Sequence, residues 1–220
     1  MLWVQYFECA INERRGMGVV SIHQFPIPEG KSGQQAAELL QKRLETIGAV
    51  KTGTFCVECE TYYAAPHINP NRAVNIIHNS EHPVTCFALL DTGTCLTADS
   101  QFDMFMMKMA GIYIPKKATK IESKGPRYEV RDFVIKLGSV SIGPSFRGIL
   151  VEVEYTPCVI PFFCWDLMRE LLQGFMGNSV QCPSQYLQGR MNEIYTAIDT
   201  VQQYMEHFNS FRRLPSGVSS

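Results

Sequence analysis

The chain of 220 residues is long enough for one full-sized domain. Its 20 Lys and Arg residues stand against 21 Asp and Glu residues, so there is no surplus of cations to neutralise a nucleic-acid backbone. Hydrophobic residues make up 45% of the chain and charged residues 19%, a composition too apolar for disorder. Composition therefore predicts a globular domain and disfavours direct nucleic-acid binding.

Cysteine content and apolar runs bear on the cellular compartment. Eight cysteines occur, but disulfide frameworks belong mostly to short exported domains, and the first residues lack the basic region and apolar run of a signal peptide. No apolar run reaches the roughly 20 residues that cross a bilayer. We therefore expect free thiols in a reducing compartment and no membrane span.

The two ends of the chain differ in pattern from its centre. Residues 1–16 show neither helical nor strand periodicity, and we expect a disordered N-terminal extension there. Residues 17–213 carry all the periodic segments, and residues 214–220 have the composition of a flexible tail. The sequence therefore predicts a single domain over 17–213.

The domain begins with a strand and a helix. Val19–Phe25 is β-rich and ends before two prolines. Ser32 and Gln35 have the spacing of a capping box, and Gly48 is placed to end the helix that follows. The apolar positions of this helix are Ala36, Leu40, Leu44 and Ile47.

The central part of the chain is predicted to be mostly β. Residues 55–59, 74–76, 84–90 and 95–98 alternate or form short apolar runs separated by turn residues. Ser100 with Asp103 is then the predicted cap of a short helix whose apolar face holds Phe102, Phe105, Met106 and Met109.

Strands are again predicted over residues 120–155, followed by two helices. The parity of the apolar positions switches near Asp132, which indicates a β-bulge. The first helix has the apolar stripe Trp165, Met168, Leu172 and Phe175, and the second has Ile194, Ile198, Val201, Met205 and Phe208. Strands in sequential runs favour an α+β domain: a mainly antiparallel β-barrel of about eight strands with three or four flanking helices that cover one side.

Two short motifs raise the possibility of catalysis. Gly30-Lys31-Ser32 lies between a strand and a helix, as a phosphate-binding loop does, but Phe25 stands where that motif needs a glycine. Asp91-Thr92-Gly93 matches the active-site loop of aspartic proteases, an alternative function that needs a second such carboxylate from a dimer. Asp-Thr-Gly is also a good hairpin turn, and we favour the turn.

The candidate metal ligands do not form a recognisable set. Cys56 and Cys59 lack a second cysteine pair, and their side chains point to opposite faces of a strand. His78 and His82 flank a turn with no carboxylate or cysteine pair at ligand spacing. We therefore predict no catalytic residue, no metal site and no cofactor.

A group of four lysines is the third alternative. Lys116, Lys117, Lys120 and Lys124 would form a basic patch for duplex DNA if they shared one face. Solvated lysines on strands and loops are the simpler interpretation.

Several blocks of residues resemble the family of Mediator subunit 20. They are Pro28-Glu29-Gly30-Lys31-Ser32, Gly53-Thr54-Phe55-Cys56-Val57-Glu58-Cys59-Glu60-Thr61, His78-Asn79-Ser80-Glu81 with Pro83, Arg147-Gly148-Ile149 with Val151-Glu152-Val153-Glu154-Tyr155, Cys164-Trp165, and Asp199-Thr200-Val201 with Gln203-Tyr204. The resemblance covers Met17 to about Arg213. The family's usual start aligns with Met17, so residues 1–16 are either a real extension or an upstream methionine taken as the start.

The resemblance implies a β-barrel with helices alongside, no enzymatic activity and no small-molecule substrate. It implies a nuclear heterodimer with Mediator subunit 18, joined to the other subunits of the Mediator head module. Through that complex the chain would support RNA polymerase II transcription, without binding nucleic acid or a membrane itself. On this hypothesis the domain offers an edge or a face of its sheet to a partner, and Ile160, Phe162 and Phe163 are candidate surface residues.

Overall fold

The computed structural model describes residues 18–68, 72–116 and 119–213, and within them the chain forms nine strands and five helices. The strands are β1 (Val19–Phe25), β2 (Val50–Ala64), β3 (Ala73–Asn79), β4 (Thr85–Leu90), β5 (Cys95–Asp99), β6 (Tyr113–Pro115), β7 (Ile121–Val130), β8 (Phe133–Ile142) and β9 (Ser145–Tyr155). The helices are α1 (Gly33–Thr46), α2 (Phe102–Lys108), α3 (Pro161–Met176), α4 (Gln185–Gln188) and α5 (Ala197–Arg213). The predicted extension at 1–16 and the predicted tail at 214–220 lie outside the described residues.

All nine strands belong to one antiparallel sheet. Its order is β1-β9-β8-β7-β2-β3-β4-β5, with β6 paired to β2. The predicted α+β class and the antiparallel architecture are confirmed. Within the described residues β1 and β5 do not pair with each other, so the sheet keeps two edges where a closed barrel would have none.

Helices pack on both faces of the sheet. On one face the Tyr204 hydroxyl of α5 donates to Glu152 of β9, and the Met205 sulfur of α5 lies 3.6 Å from the Cys59 thiol of β2. We call this the α5 face. On the opposite face the rings of His23 in β1 and Trp165 in α3 lie 6.1 Å apart.

The expectation that helices cover only one side was wrong, and β8 gives the reason. Its residues 133–138 are buried without interruption, so the strand needs cover on both faces. Helix α1 joins α3 on the face opposite α5, since the Arg43 guanidinium of α1 donates to the Phe175 carbonyl of α3 at 2.9 Å.

Local sequence determines the first helix as predicted. The Ser32 hydroxyl accepts from the Gln35 amide at 3.3 Å, and the Gln35 side chain accepts from the Ser32 amide at 3.0 Å. These two bonds satisfy amides that have no partner inside the helix. Gly48 follows the helix with φ of 85°, a left-handed conformation that glycine adopts at low cost.

Two local predictions were wrong. The parity switch near Asp132 is a two-residue turn between β7 and β8, with Arg131 at φ of 53°; the chain reverses there rather than bulging. Helix α2 begins after Gln101 without a side-chain cap from Ser100. The Asp99 carboxylate instead accepts from the Gln101 amide at 2.9 Å, because the end of β5 places it there.

Candidate functional site

Asp91 lies in the hairpin turn between β4 and β5, which confirms the turn interpretation. The Leu90 amide donates to the Thr94 carbonyl at 2.9 Å, and the Gly93 amide donates to the Leu90 carbonyl at 3.0 Å. Gly93 has φ of 86°, which explains glycine at this point of the turn. Asp91 is exposed and forms no ion pair with any described residue.

A buried cluster of charges lies on the α5 face, and sequence reasoning missed it. The Lys136 ammonium is 4% exposed and lies 2.7 Å from a Glu152 oxygen, with a Glu81 oxygen on its other side. Burial opposes the charge of Lys136, but the carboxylates of Glu152 and Glu81 hold its pKa above the ordinary value. Tyr204 donates to the second Glu152 oxygen.

The cavity beside this cluster is too small for a substrate. Its volume is about 40 Å³, whereas ligand sites typically measure roughly 300 Å³ or more. The arrangement fits a structural role, because a buried lysine persists only when carboxylates pair with it. The signal in the sequence was Lys136 itself, a lone charge between Ile135 and Leu137.

The two cysteines of the Cys-x-x-Cys pair lie on opposite faces of β2, as predicted. Cys59 is buried on the α5 face, and Cys56 lies on the other face beside Glu58 and Glu122. Ligand atoms of these last three residues lie within 4.8 Å of one another. The pKa of the Cys56 thiol is raised by burial and by the carboxylates of Glu58 and Glu122, which disfavours the thiolate.

Two lysines pair with the carboxylates beside Cys56. Lys120 lies 2.9 Å from Glu58 and 3.1 Å from Glu60, and Lys124 lies 2.6 Å from Glu122. Among the described residues, Lys120 and Lys124 are therefore paired with acidic side chains and do not form a separate basic patch. Lys117 lies outside the described residues. An open groove of about 340 Å³ beside them is lined by Glu60, Thr61, Tyr62, Pro115, Lys116 and Lys120.

His78 and Ser32 have structural partners in the fold. The His78 ring nitrogen lies 3.1 Å from Asp103 of α2. Asp103 follows His78 by 25 residues, far outside ligand spacing, so spacing along the chain did not predict the contact. His82 is exposed, and Ser32 is the cap of α1.

An exposed apolar patch surrounds the start of α3. We call it the α3 patch; its residues and exposed fractions are Val159 44%, Phe162 62%, Phe163 75%, Leu167 44% and Ile194 67%. The rings of Phe162 and Phe163 lie 5.7 Å apart. A bond of 2.7 Å from the Tyr195 amide to the Val159 carbonyl brings Ile194 to the same place. Ile160, expected in this surface, is half-buried.

The described helices include none that is both long and apolar enough to span a bilayer. All seven cysteines in the described part of the chain are free thiols.

Comparison with known proteins gives consistent matches along the chain. Residues 17–209 match the family model described as the TATA-binding related factor (TRF) of subunit 20 of Mediator complex. The chain is 46% identical to Mediator of RNA polymerase II transcription subunit 20 of Homo sapiens over 202 residues, which covers 90% of this chain and 95% of the human protein. It is 48% identical to the protein of the same name from Anopheles gambiae, with 92% and 99% covered.

The solved structures that match have much lower sequence identity to this chain. A chain in the structure of the Schizosaccharomyces pombe Mediator head module has a TM-score of 0.39 and 13% identity, over 71% of this chain and 94% of that one. The Hippeastrum putative adenylyl cyclase described as having a dominant triphosphatase activity has a TM-score of 0.46 and 14% identity, over 90% of this chain and 98% of that one. The match to the family model and the identity to full-length relatives decide the assignment: this chain belongs to the Mediator subunit 20 family.

Proposed function

We propose that this chain is a non-catalytic structural subunit of the Mediator head module, that it forms a heterodimer with Mediator subunit 18, and that it works in the nucleus in RNA polymerase II transcription. The observation that carries the proposal is the family match over residues 17–209, together with 44% or more identity to the Mediator subunit 20 relatives.

Two properties of the described residues support an interaction role. The α3 patch leaves Phe162 and Phe163 mostly in water, and exposed apolar clusters mark protein interaction sites. The buried charges Lys136 and Glu152 pair with each other, and the cavity beside them, about 40 Å³, is small for a substrate.

Co-expression with a subunit 18 homologue tests the proposal. We expect the two chains to co-elute from size-exclusion chromatography as a 1:1 complex at micromolar concentration. Interfaces between permanent partners typically exceed about 2,000 Å², which gives complexes that survive such dilution. Independent elution of two folded chains would contradict the heterodimer.

A matched pair of variants separates the α3 patch from general surface effects. Phe163→Ser removes the most exposed aromatic residue of the patch, while Phe105→Ser removes an aromatic residue of α2 that is 51% exposed. We expect pull-down of the assembled head module to weaken for Phe163→Ser only. Equal recovery with both variants would exclude the patch from the assembly surface.

A further inference from the structure

The strand β5 presents an unpaired backbone edge, and its hydrogen-bond parity defines which residues form it. The Leu90 amide donates to the Thr94 carbonyl, and the Ser100 amide donates to the Val84 carbonyl, at the two ends of the β4–β5 ladder. Because hydrogen-bonded pairs alternate in an antiparallel ladder, Leu96 and Ala98 direct their backbone groups to β4.

The alternate residues of β5 therefore direct their backbone groups away from the sheet. They are Cys95, Thr97 and Asp99. In the described part of the chain, no hydrogen bond joins the backbone of Cys95 or Thr97 to any other element, and the Asp99 carbonyl accepts only the Cys86 thiol, at 3.3 Å. This edge has the donors and acceptors that an additional strand would pair with.

The opposite edge of the same sheet is closed from within. The Gln203 side chain of α5 accepts from the Ile22 amide at 3.1 Å and donates to the Val20 carbonyl at 3.0 Å. The His207 ring of α5 lies 3.0 Å from the Ile22 carbonyl. Two helix side chains thus take the place of a neighbouring strand at β1, and no described residue does so for Cys95 and Thr97 of β5.

The side chains around β5 indicate which kind of strand would fit beside it. Residues 85–107 contain Asp91, Asp99 and Asp103 and no Lys, Arg or His, so every charged side chain of this segment is acidic. Edge strands are commonly protected by lysine, proline or a bulge, and β5 has none of them. Leu96 is 47% exposed on the face opposite α5.

We propose that β5 is the docking edge for the heterodimer partner, which adds one extended strand beside Cys95, Thr97 and Asp99. The inference rests on the proposed heterodimer, which supplies the partner chain. The fitting segment is an extended one with an apolar residue beside Leu96 and a basic residue near Asp99, because these side chains flank the free backbone groups.

Amide hydrogen exchange at single-residue resolution tests the edge directly. The free chain and its co-purified complex with a subunit 18 homologue are compared under one condition. We expect the amides of Cys95, Thr97 and Asp99 to exchange at least tenfold more slowly in the complex, because each would donate to the added strand.

A proline variant tests the same edge by affinity. Thr97→Pro removes a donor that points away from β4, and proline is tolerated at such edge positions. Thr97→Ala is the matched control, because it keeps the donor. We expect Thr97→Pro to weaken the complex at least tenfold and Thr97→Ala to weaken it less than threefold.

The outcomes separate the two proposals. A complex that forms with unchanged exchange at Thr97 and with full tolerance of Thr97→Pro overturns the docking edge and leaves the heterodimer standing. Failure to form any complex contradicts the heterodimer and the docking edge with it. Protection of Thr97 in the free chain as its concentration rises would assign the edge to a second copy and overturn the present assignment.

Discussion

Both edges of the sheet have outward-facing backbone amides and carbonyls that need hydrogen-bond partners, but the two edges differ in whether α5 supplies these partners. At β1 the outward-facing groups of Val20 and Ile22 bond to side chains of α5, a helix that lies about 180 residues later in the chain. At β5 the corresponding groups of Cys95 and Thr97 have no such partner in the described residues. Among the described residues the fold therefore completes one edge internally and leaves the other with unpaired backbone groups, the kind of strand edge that readily accepts another chain.

The largest expected effect comes from removing the internal cover of β1. Gln203→Met keeps the side-chain volume but leaves the Ile22 amide and the Val20 carbonyl buried without this partner, and it also removes the bonds of Gln203 to the Ser184 and Tyr195 hydroxyls. We expect the free energy of unfolding in urea to fall by about 3 kcal/mol or more, because each orphaned buried group costs roughly 1–3 kcal/mol.

Gln202→Met is the matched control for Gln203→Met. Gln202 is half-buried and makes a single long bond of 3.3 Å to the Gly93 carbonyl. Its loss should cost under about 1 kcal/mol. Equal losses for the two variants would mean that the buried bonds of Gln203, those to β1 included, do not stabilise the fold.

A pair of prolines in β5 tests which residues face outward. Ala98→Pro removes an amide that belongs to the β4 ladder, and we expect a loss of about 2–3 kcal/mol in the free energy of unfolding. Thr97→Pro removes an outward-facing amide and should change the free energy of unfolding of the isolated chain by less than about 1 kcal/mol. The opposite ranking would reverse the assigned parity of the strand.

Acid should lower the free energy of unfolding through the two buried histidines beside β1, His23 and His207. Burial, followed by the nearby His207, lowers the pKa of His23 from 6.5 to about 4, and burial also lowers the pKa of His207. The unfolded chain therefore binds a proton that the folded chain does not, so stability is full above pH 6.5 and falls as the pH drops toward 4. From His23 alone we expect about 2 kcal/mol less stability at pH 5 than at pH 8.

Urea unfolding across this pH range measures the effect. His23→Gln should flatten the pH dependence, whereas His67→Gln, which changes an exposed histidine, should leave it unchanged. Identical pH profiles for the unmodified chain and His23→Gln would contradict the assignment.

The smallest effect on stability is expected at the exposed side chain of β5. Leu96→Lys places a charge on the open edge and should alter the free energy of unfolding by less than about 0.5 kcal/mol. The same variant should weaken the complex with a subunit 18 homologue, measured by titration calorimetry, because a lysine discourages edge pairing. Val84→Lys changes an exposed residue that precedes β4; if it weakens the complex equally, general apolar exposure and not the strand edge is responsible.

Local features of the fold were predictable where their partners lie nearby in sequence. The capping box of Ser32 and Gln35 joins residues three apart, and the Asp-Thr-Gly hairpin joins strands separated by a short turn. The apolar stripe of α3 also predicted its buried face, including Met168, Leu172 and Phe175. Such patterns depend on spacing along the chain, which the sequence states directly.

The buried polar residues were not predictable, because the polarity of a side chain by itself predicts exposure to water. In α5 the stripe that began at Ile194 missed the helix start at Ala197 and the buried polar residues Asp199 and Gln203. Polar residues on a helix normally face water, but Gln203 is buried, where it bonds to β1, a strand near the other end of the chain, and to Ser184 and Tyr195. Lys136 and Glu152 were missed for the same reason.

The sequence by itself determined the antiparallel α+β class, most of the helices and strands, and the family of the chain. Tertiary structure alone decided that α5 lies on the opposite face from α1 and α3 and that Gln203 closes the edge of β1. It also decided that no described residue pairs with the outer edge of β5. The physical reason is that periodicity records which side of an element is apolar, whereas the neighbour that each backbone edge meets depends on contacts between residues far apart in the chain.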